Sequence, residues 1–243
     1  MYVTFAGRFT VAESSRLAIA DHYTIVIPSL ACQNIMKNLS CNHIATYLSK
    51  GISFLLHPFL MPVWLLTGLF AIGIIPHFIP ASVKHYLWTV IILYTFLIPA
   101  MAVMLLKFFG IIPDLSLASR RDRVLPMIVL VAGYALCYWM LGVFPFLFIL
   151  RRMLLVAVCC IIFAFIVNLF WQISLHMTAV GAAVGLVLLL VVAGYDVLWL
   201  FCLIVIAAGA LASARLFLGR HSLPQIVVGF AGGFSIASLL LLA

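Results

Sequence analysis

Residues 153–173 read Met153-Leu-Leu-Val-Ala-Val-Cys-Cys-Ile-Ile-Phe-Ala-Phe-Ile-Val-Asn-Leu-Phe-Trp-Gln-Ile173, a run without a single charge. At a helical rise of 1.5 Å per residue the run is about 31 Å long, which matches the roughly 30 Å hydrocarbon core of a bilayer. Segments of the same kind extend in both directions, at about 52–75, 86–109 and 125–149 before it and 177–194, 197–213 and 224–242 after it. They are too continuous for the alternating pattern of barrel strands. The pattern predicts an all-α fold, a polytopic transmembrane helical bundle of about six to seven spans.

Composition gives the same class. Of 243 residues, 67% are hydrophobic and 7% charged, where a soluble domain carries about 25% charged residues. The mean hydropathy is +1.35. A water-soluble enzyme, a disordered chain and a disulfide-stapled secreted domain are excluded. The six cysteines, Cys32, Cys41, Cys137, Cys159, Cys160 and Cys202, form no Cys-x-x-Cys pair, and four lie in apolar runs where Cys acts as a small hydrophobe. No cofactor motif is present, and nothing in the pattern suggests a nucleic-acid partner.

Thirteen Lys and Arg stand against five acids, a net charge of +8. The acids, Glu13, Asp21, Asp114, Asp122 and Asp196, form no paired carboxylate site. Mg²⁺ chemistry usually uses one or two carboxylates with substrate phosphates, so the expectation is a site without metal. The basic excess fits an anionic partner, and in a membrane that means lipid headgroups or lipid phosphates.

Residues 1–50 read as an N-terminal tail, with 1–35 resembling a mis-assigned extension ahead of Met36-Lys-Asn-Leu-Ser, and 51–243 read as one membrane-embedded domain. Polar breaks separate the spans at 76–85, 110–123, Arg151-Arg152, 174–176, 194–196 and 214–223. Alternate crossings bring 110–123, 174–176 and 214–223 to the face where the first span begins. That face, called A, then carries Arg120, Arg121, Arg123, His176, Arg215, Arg220 and His221; the opposite face, B, carries Lys84, Arg151 and Arg152 with His77 and His85.

On face A, Gln225 follows His221 by four residues, the spacing that places two side chains on one helical face. An amide there can hold one imidazole nitrogen and leave the other free for nucleophilic or acid–base work. Asn168, Gln172 and His176 recur at four-residue steps and predict a polar stripe along one helix. Two histidines with arginines and Ser174, without paired carboxylates, point to phosphate chemistry, because Arg presents a planar fork of donors to phosphate oxygens.

These residues resemble the type 2 phosphatidic acid phosphatase superfamily of integral membrane lipid phosphatases, in a divergent bacterial form. The family motifs are Lys-x-x-x-x-x-x-Arg-Pro, Pro-Ser-Gly-His and Ser-Arg-x-x-x-x-x-His-x-x-x-Asp. Arg215 and His221 keep the spacing of the third, with Gln225 in place of its Asp and Ser213 displaced by one residue. The second is reduced to Ser174-Leu175-His176, and the first to Arg121, Arg123 and Pro126 with Ser116 where Lys would stand. The opening His57-Pro58 with Met61-Pro62 and the Arg-Asp-Arg before a span add to the likeness over about 50–243.

The resemblance implies metal-independent hydrolysis of a membrane lipid phosphate or diphosphate through a phosphohistidine. His221 would be the nucleophile, His176 the acid for the leaving alcohol, and Gln225 the group that orients His221. Arg215, Arg123, Ser174 and Arg121 would bind phosphoryl oxygens. The family placement puts the site on the periplasmic side of a bacterial inner membrane, whereas from Met36 onward face A holds eight Lys and Arg against three on face B, the count expected of a cytoplasmic face. A catalytically weak relative that binds or moves anionic lipids, and a small transporter, are the alternatives. By residue type alone His57 reads as a packing or helix-start residue, Arg151-Arg152 as a topology anchor, Arg120 and Arg220 as headgroup contacts, and the glycines at 181, 185, 229, 232 and 233 as helix-packing contacts.

Overall fold

The computed structural model describes residues 43–114, 117 and 119–242. The proposed extension over 1–35, the rest of the tail to residue 42, and Ser116 lie outside the described residues. Seven helical stretches are long and apolar enough to cross a membrane: His43–Ala71, Ala81–Phe108, Arg121–Val143, Pro145–Phe170, Leu175–Val192, Leu198–Phe217 and Leu223–Leu242. Among the described residues there is no strand, and the protein is a multi-pass α-helical membrane bundle.

The first span is already helical at His43, the first described residue, upstream of the expected position near 52, and Lys50 lies within the helix. At about 43 Å it is longer than a hydrocarbon core. It is broken near His57 into α1 (43–55) and α2 (Met61–Ala71) by a short 3₁₀ turn, Pro58–Leu60. Proline fixes φ at the start of that turn and donates no N–H, so the helix cannot run through it unbroken. The second span comprises α3 (Ala81–Ile91), a π-helical stretch Ile92–Leu97 and α4 (Ile98–Phe108). Pro99 follows the π stretch, and Thr95 donates its hydroxyl to the Ile91 carbonyl. The third span contains α5 (Val124–Met140), and the fourth is α6 (Phe148–Phe170). The last three are α7 (Leu175–Val192), α8 (Leu198–Phe217) and α9 (Leu223–Leu242).

Two expected boundaries are corrected. Arg151 and Arg152 are not a break; they lie within the first two turns of α6, and the connection is the segment around Gly142 and Pro145. Arg151 packs on Gly142 and lies 4.6 Å over the Tyr138 ring, so its cation is accommodated inside the span end. The polar stripe through Asn168, Gln172 and His176 is not on one helix. α6 ends at Phe170, Trp171–Ile173 are extended or bent, and His176 belongs to the next span. Arg120 explains the stop: its guanidinium donates to the Phe170 carbonyl, a cation satisfying a helix C-terminus, while Asn168 Nδ2 donates to the Arg120 carbonyl at 3.0 Å.

The main apolar core joins the first four spans around Leu66, Leu87, Ile91, Tyr134, Leu150 and Leu154. Among the described helices the most extensive packing is between α7 and α9. The glycines at 181, 185, 229 and 233 make that approach possible. A Cβ at Gly181 would run into the Phe230 carbonyl, one at Gly233 into the Thr178 carbonyl, and one at Gly229 would stand 2.9 Å from the Ser174 carbonyl. Lipid tails are as apolar as the side chains, so such close backbone packing is what holds membrane helices together.

Candidate functional site

The α7–α9 seam determines which groups meet. It places Ser174, at the start of α7, against Gly229 nearly two turns into α9, and His176 comes within electrostatic range of His221. The chain reaches His221 through a tight turn after α8. Gly219 has φ 62, the Gly219 N–H bonds to Leu216 O, and the Arg220 N–H bonds to Arg215 O. This is the Schellman pattern, which needs a residue in the left-handed region at that position, and Gly occupies it without strain. The Leu-Gly before the histidine therefore folds His221 back toward Arg215 on the helix just completed.

His221 is 7% exposed. Its Nδ1 lies 3.2 Å from Gln225 Oε1, which also accepts the Ser222 N–H at 3.1 Å. An oxygen that already accepts from an amide is an acceptor toward the ring as well, so Nδ1 carries the hydrogen and Nε2 keeps its lone pair. Burial pushes the His221 imidazole down to about 4; the Arg215 and Arg123 charges push the same way, the Gln225 bond opposes them, and Arg220 adds to the lowering. At neutral pH His221 is an uncharged imidazole with its Nε2 unblocked by Gln225.

His176 is fixed differently. Its Nε2 lies 3.2 Å from the Ser53 carbonyl, which can only accept, so Nε2 carries the hydrogen and Nδ1 is the available nitrogen. Its ring meets His57 edge to face with centroids 5.0 Å apart. His57 sits in the break of the first span, where its Nδ1 accepts the Phe59 N–H at 3.3 Å. The helix-start role read from sequence is present, and the same histidine also faces the site. Arg215 lies within electrostatic range of all three imidazoles.

The cations are placed by backbone. Arg123, 9% exposed, donates Nε to Leu117 O at 2.7 Å and Nη1 to Ile173 O at 3.2 Å. Leu117 has φ 47, a strained value for a non-glycine residue, and its carbonyl is one of the two that hold the guanidinium. The second carbonyl, of Ile173, directly precedes Ser174. Arg215 and Arg220 complete the group of charges acting on His221. Three polar atoms in this region, Ser53 Oγ, Ser174 Oγ and Arg215 Nε, are buried and have no hydrogen-bond partner among the described residues. The Ser174 hydroxyl is at the N-cap of α7 yet makes no cap bond, and the residue is wholly buried.

Of the residues expected from sequence, the structure brings together His221, Gln225, His176, Ser174, Arg215 and Arg123. Arg121 is exposed, and among the described residues no contact joins its guanidinium to them. Ser213 is exposed too and donates to the Gly209 carbonyl. Sequence reasoning missed His57, Ser53 and the involvement of Arg220. His57-Pro58 was the available signal, since a histidine before a proline inside a span marks a break at membrane depth. Ser53 gives no signal, because its backbone carbonyl does the work. Among the described residues no three His, Cys, Asp or Glu side chains are grouped to hold a metal ion. No family model, curated protein or solved structure matches the chain.

Proposed function

We propose that this membrane protein hydrolyses a lipid phosphate or diphosphate without a metal ion, through a phosphohistidine on His221. The observation that carries the reading is the gathering of three arginine charges, two histidines with defined free nitrogens and three partnerless buried polar atoms at one place. Burying such groups without partners costs free energy, and an anion with several acceptor oxygens satisfies them together. The N-termini of α7 and α9 lie at the same place and favour negative charge.

In this reading Arg123, Arg215 and the Ser174 hydroxyl bind the phosphoryl oxygens. His221 Nε2 attacks phosphorus while Gln225 holds Nδ1–H. With the anion seated among the arginines, His176 takes up a proton on Nδ1 and delivers it to the departing oxygen, its Nε2–H held by the Ser53 carbonyl. Water, deprotonated by His176 Nδ1, then releases phosphate from His221 Nε2. A neutral amide stabilises the transient imidazolium less than a carboxylate would, so the arginines carry more of the charge stabilisation here. A multi-pass location in a bacterial inner membrane with the site facing the periplasm belongs to the same proposal.

The experiment is release of inorganic phosphate from phosphatidate and from a polyprenyl diphosphate, in chelator, by the purified chain and by His221→Ala. Release by the wild type that His221→Ala abolishes supports the proposal. Equal rates refute the role of His221.

A further inference from the structure

Beside the charged cluster lies an apolar crevice of about 230 Å³. Its upper wall is Pro58 and Met61, next to His57, and Leu175 and Thr178, next to Ser174 and His176. From there it follows a single stripe of α7, whose members at 175, 178, 179, 182, 183, 186, 187 and 190 recur at three and four residues. Leu175 to Leu190 is a descent of about 22 Å, more than the roughly 15 Å of one leaflet. A second apolar cavity of about 210 Å³ shares Met61, Trp64 and Ile204 with it, between the first and sixth spans.

Two features show what the crevice accepts. The three side chains on its wall with N–H or O–H donors are already satisfied by backbone: Trp64 donates to Leu55 O, Tyr134 to Pro58 O and Thr178 to Ser174 O. No polar ligand is called for along its length. The room comes from small residues, Gly68 and Ala157 facing Ala179, Ala182 and Ala183. Gly68 is the clearest case: a Cβ there would meet no atom within 4 Å, although a mid-helix glycine costs stability relative to alanine.

The geometry points to this crevice as the site for one hydrocarbon chain of an amphiphile whose anionic head occupies the arginine and histidine cluster. The inference rests on the proposed function for the identity of the head and adds the shape of the tail. Moving a chain from bilayer to crevice changes its apolar surroundings little, so the crevice holds the chain by close-fitting contacts rather than by hydrophobic burial, and those contacts are what a filled crevice loses. A single slender chain fits a stripe one helix face wide.

The test uses the full chain in detergent and two hydrolysis-inert probes, hexadecylphosphonate and methylphosphonate, with binding read by native mass spectrometry and calorimetry. Gly68→Phe fills the crevice from a position with free space. Gly209→Phe, on an exposed part of α8 that also has free space, is the control for detergent and folding effects. The expected result is that Gly68→Phe weakens hexadecylphosphonate about tenfold or more, the scale on which pockets reject misfitting apolar groups. Methylphosphonate binding stays as in wild type, and Gly209→Phe changes neither. Unchanged hexadecylphosphonate binding in Gly68→Phe overturns the inference, and so does equal weakening of both probes. If the expected binding pattern appears but the wild type releases no phosphate from lipid phosphates, the crevice stands and the phosphatase proposal falls.

Discussion

Replacing Gln225 by Glu probes the geometry around His221 without changing side-chain length. In the wild type the Gln225 carbonyl oxygen accepts from His221 Nδ1 and from the Ser222 N–H, and the imidazole is held at about 4 by burial and the surrounding arginines. A carboxylate in the same place keeps both acceptors and adds a negative charge. At about 4 Å and an effective dielectric near 20, Coulomb's law gives about 4 kcal/mol in favour of the imidazolium. That is an upper bound of about three pKa units, and opposite charges at this range move a group by about one to three. The sign is upward, so the His221 midpoint moves from about 4 to roughly 5–7, and part of the nucleophile is protonated at neutral pH. Nitrogen-15 histidine spectra over a pH series, assigned against His221→Ala, read both midpoint and tautomer. The wild type shows the Nδ1–H tautomer. A midpoint that does not rise in Gln225→Glu, or an Nε2–H tautomer in the wild type, refutes the assignment of Gln225 as the acceptor and of Nε2 as the attacking nitrogen.

Inorganic phosphate raises the thermal midpoint of the wild type through binding linkage, and Arg215→Met, which removes a guanidinium whose Nε has no partner among the described residues, loses that rise in a thermal-shift assay while folding normally in its absence. His221 has a folded value near 4 against 6.5, so its contribution to stability is complete above about 6.5 and is lost as pH falls toward 4, up to about 3 kcal/mol; His221→Asn flattens this part of a pH–stability curve. Gly233→Leu drives a side chain into the Thr178 carbonyl and costs about 1–3 kcal/mol or more; by shifting α9 from α7 it lowers phosphate release about a hundredfold, whereas Gly209→Leu leaves release unchanged. His57→Ala removes the ring against His176 and the acceptor for the Phe59 N–H, and lowers the rate of phosphate release.

The fold was legible because a span is a local property. Length and apolarity alone placed seven segments, since hydrocarbon tolerates only backbone that satisfies its own hydrogen bonds. The misread boundaries share a cause. Charge in an apolar sequence reads as a break, but Arg151 sits in a helix with its guanidinium over Tyr138, while the actual connection holds Gly142 and Pro145. The Asn168, Gln172, His176 spacing looked helical because nothing local to it announces that Arg120, about fifty residues earlier, closes α6 at Phe170.

The site divides in the same way. His221 with Gln225 four residues on, and the Leu-Gly before them, follow from local spacing and turn chemistry. Without the structure they are a histidine and an amide at the end of a span. The tertiary structure decided what surrounds them: the glycine seam that brings α9 to the start of α7, the Leu117 and Ile173 carbonyls that hold Arg123, and the break at Pro58 that turns His57 and the Ser53 carbonyl toward His176. It also separated Arg121 from Arg123, two residues apart in sequence, leaving one exposed and the other buried. Sequence alone determined that the chain lies in lipid and that its few charges are mostly positive. Which of those charges share one buried place depended on helix packing, because Arg123 and His176 reach His221 from spans far from it in the chain.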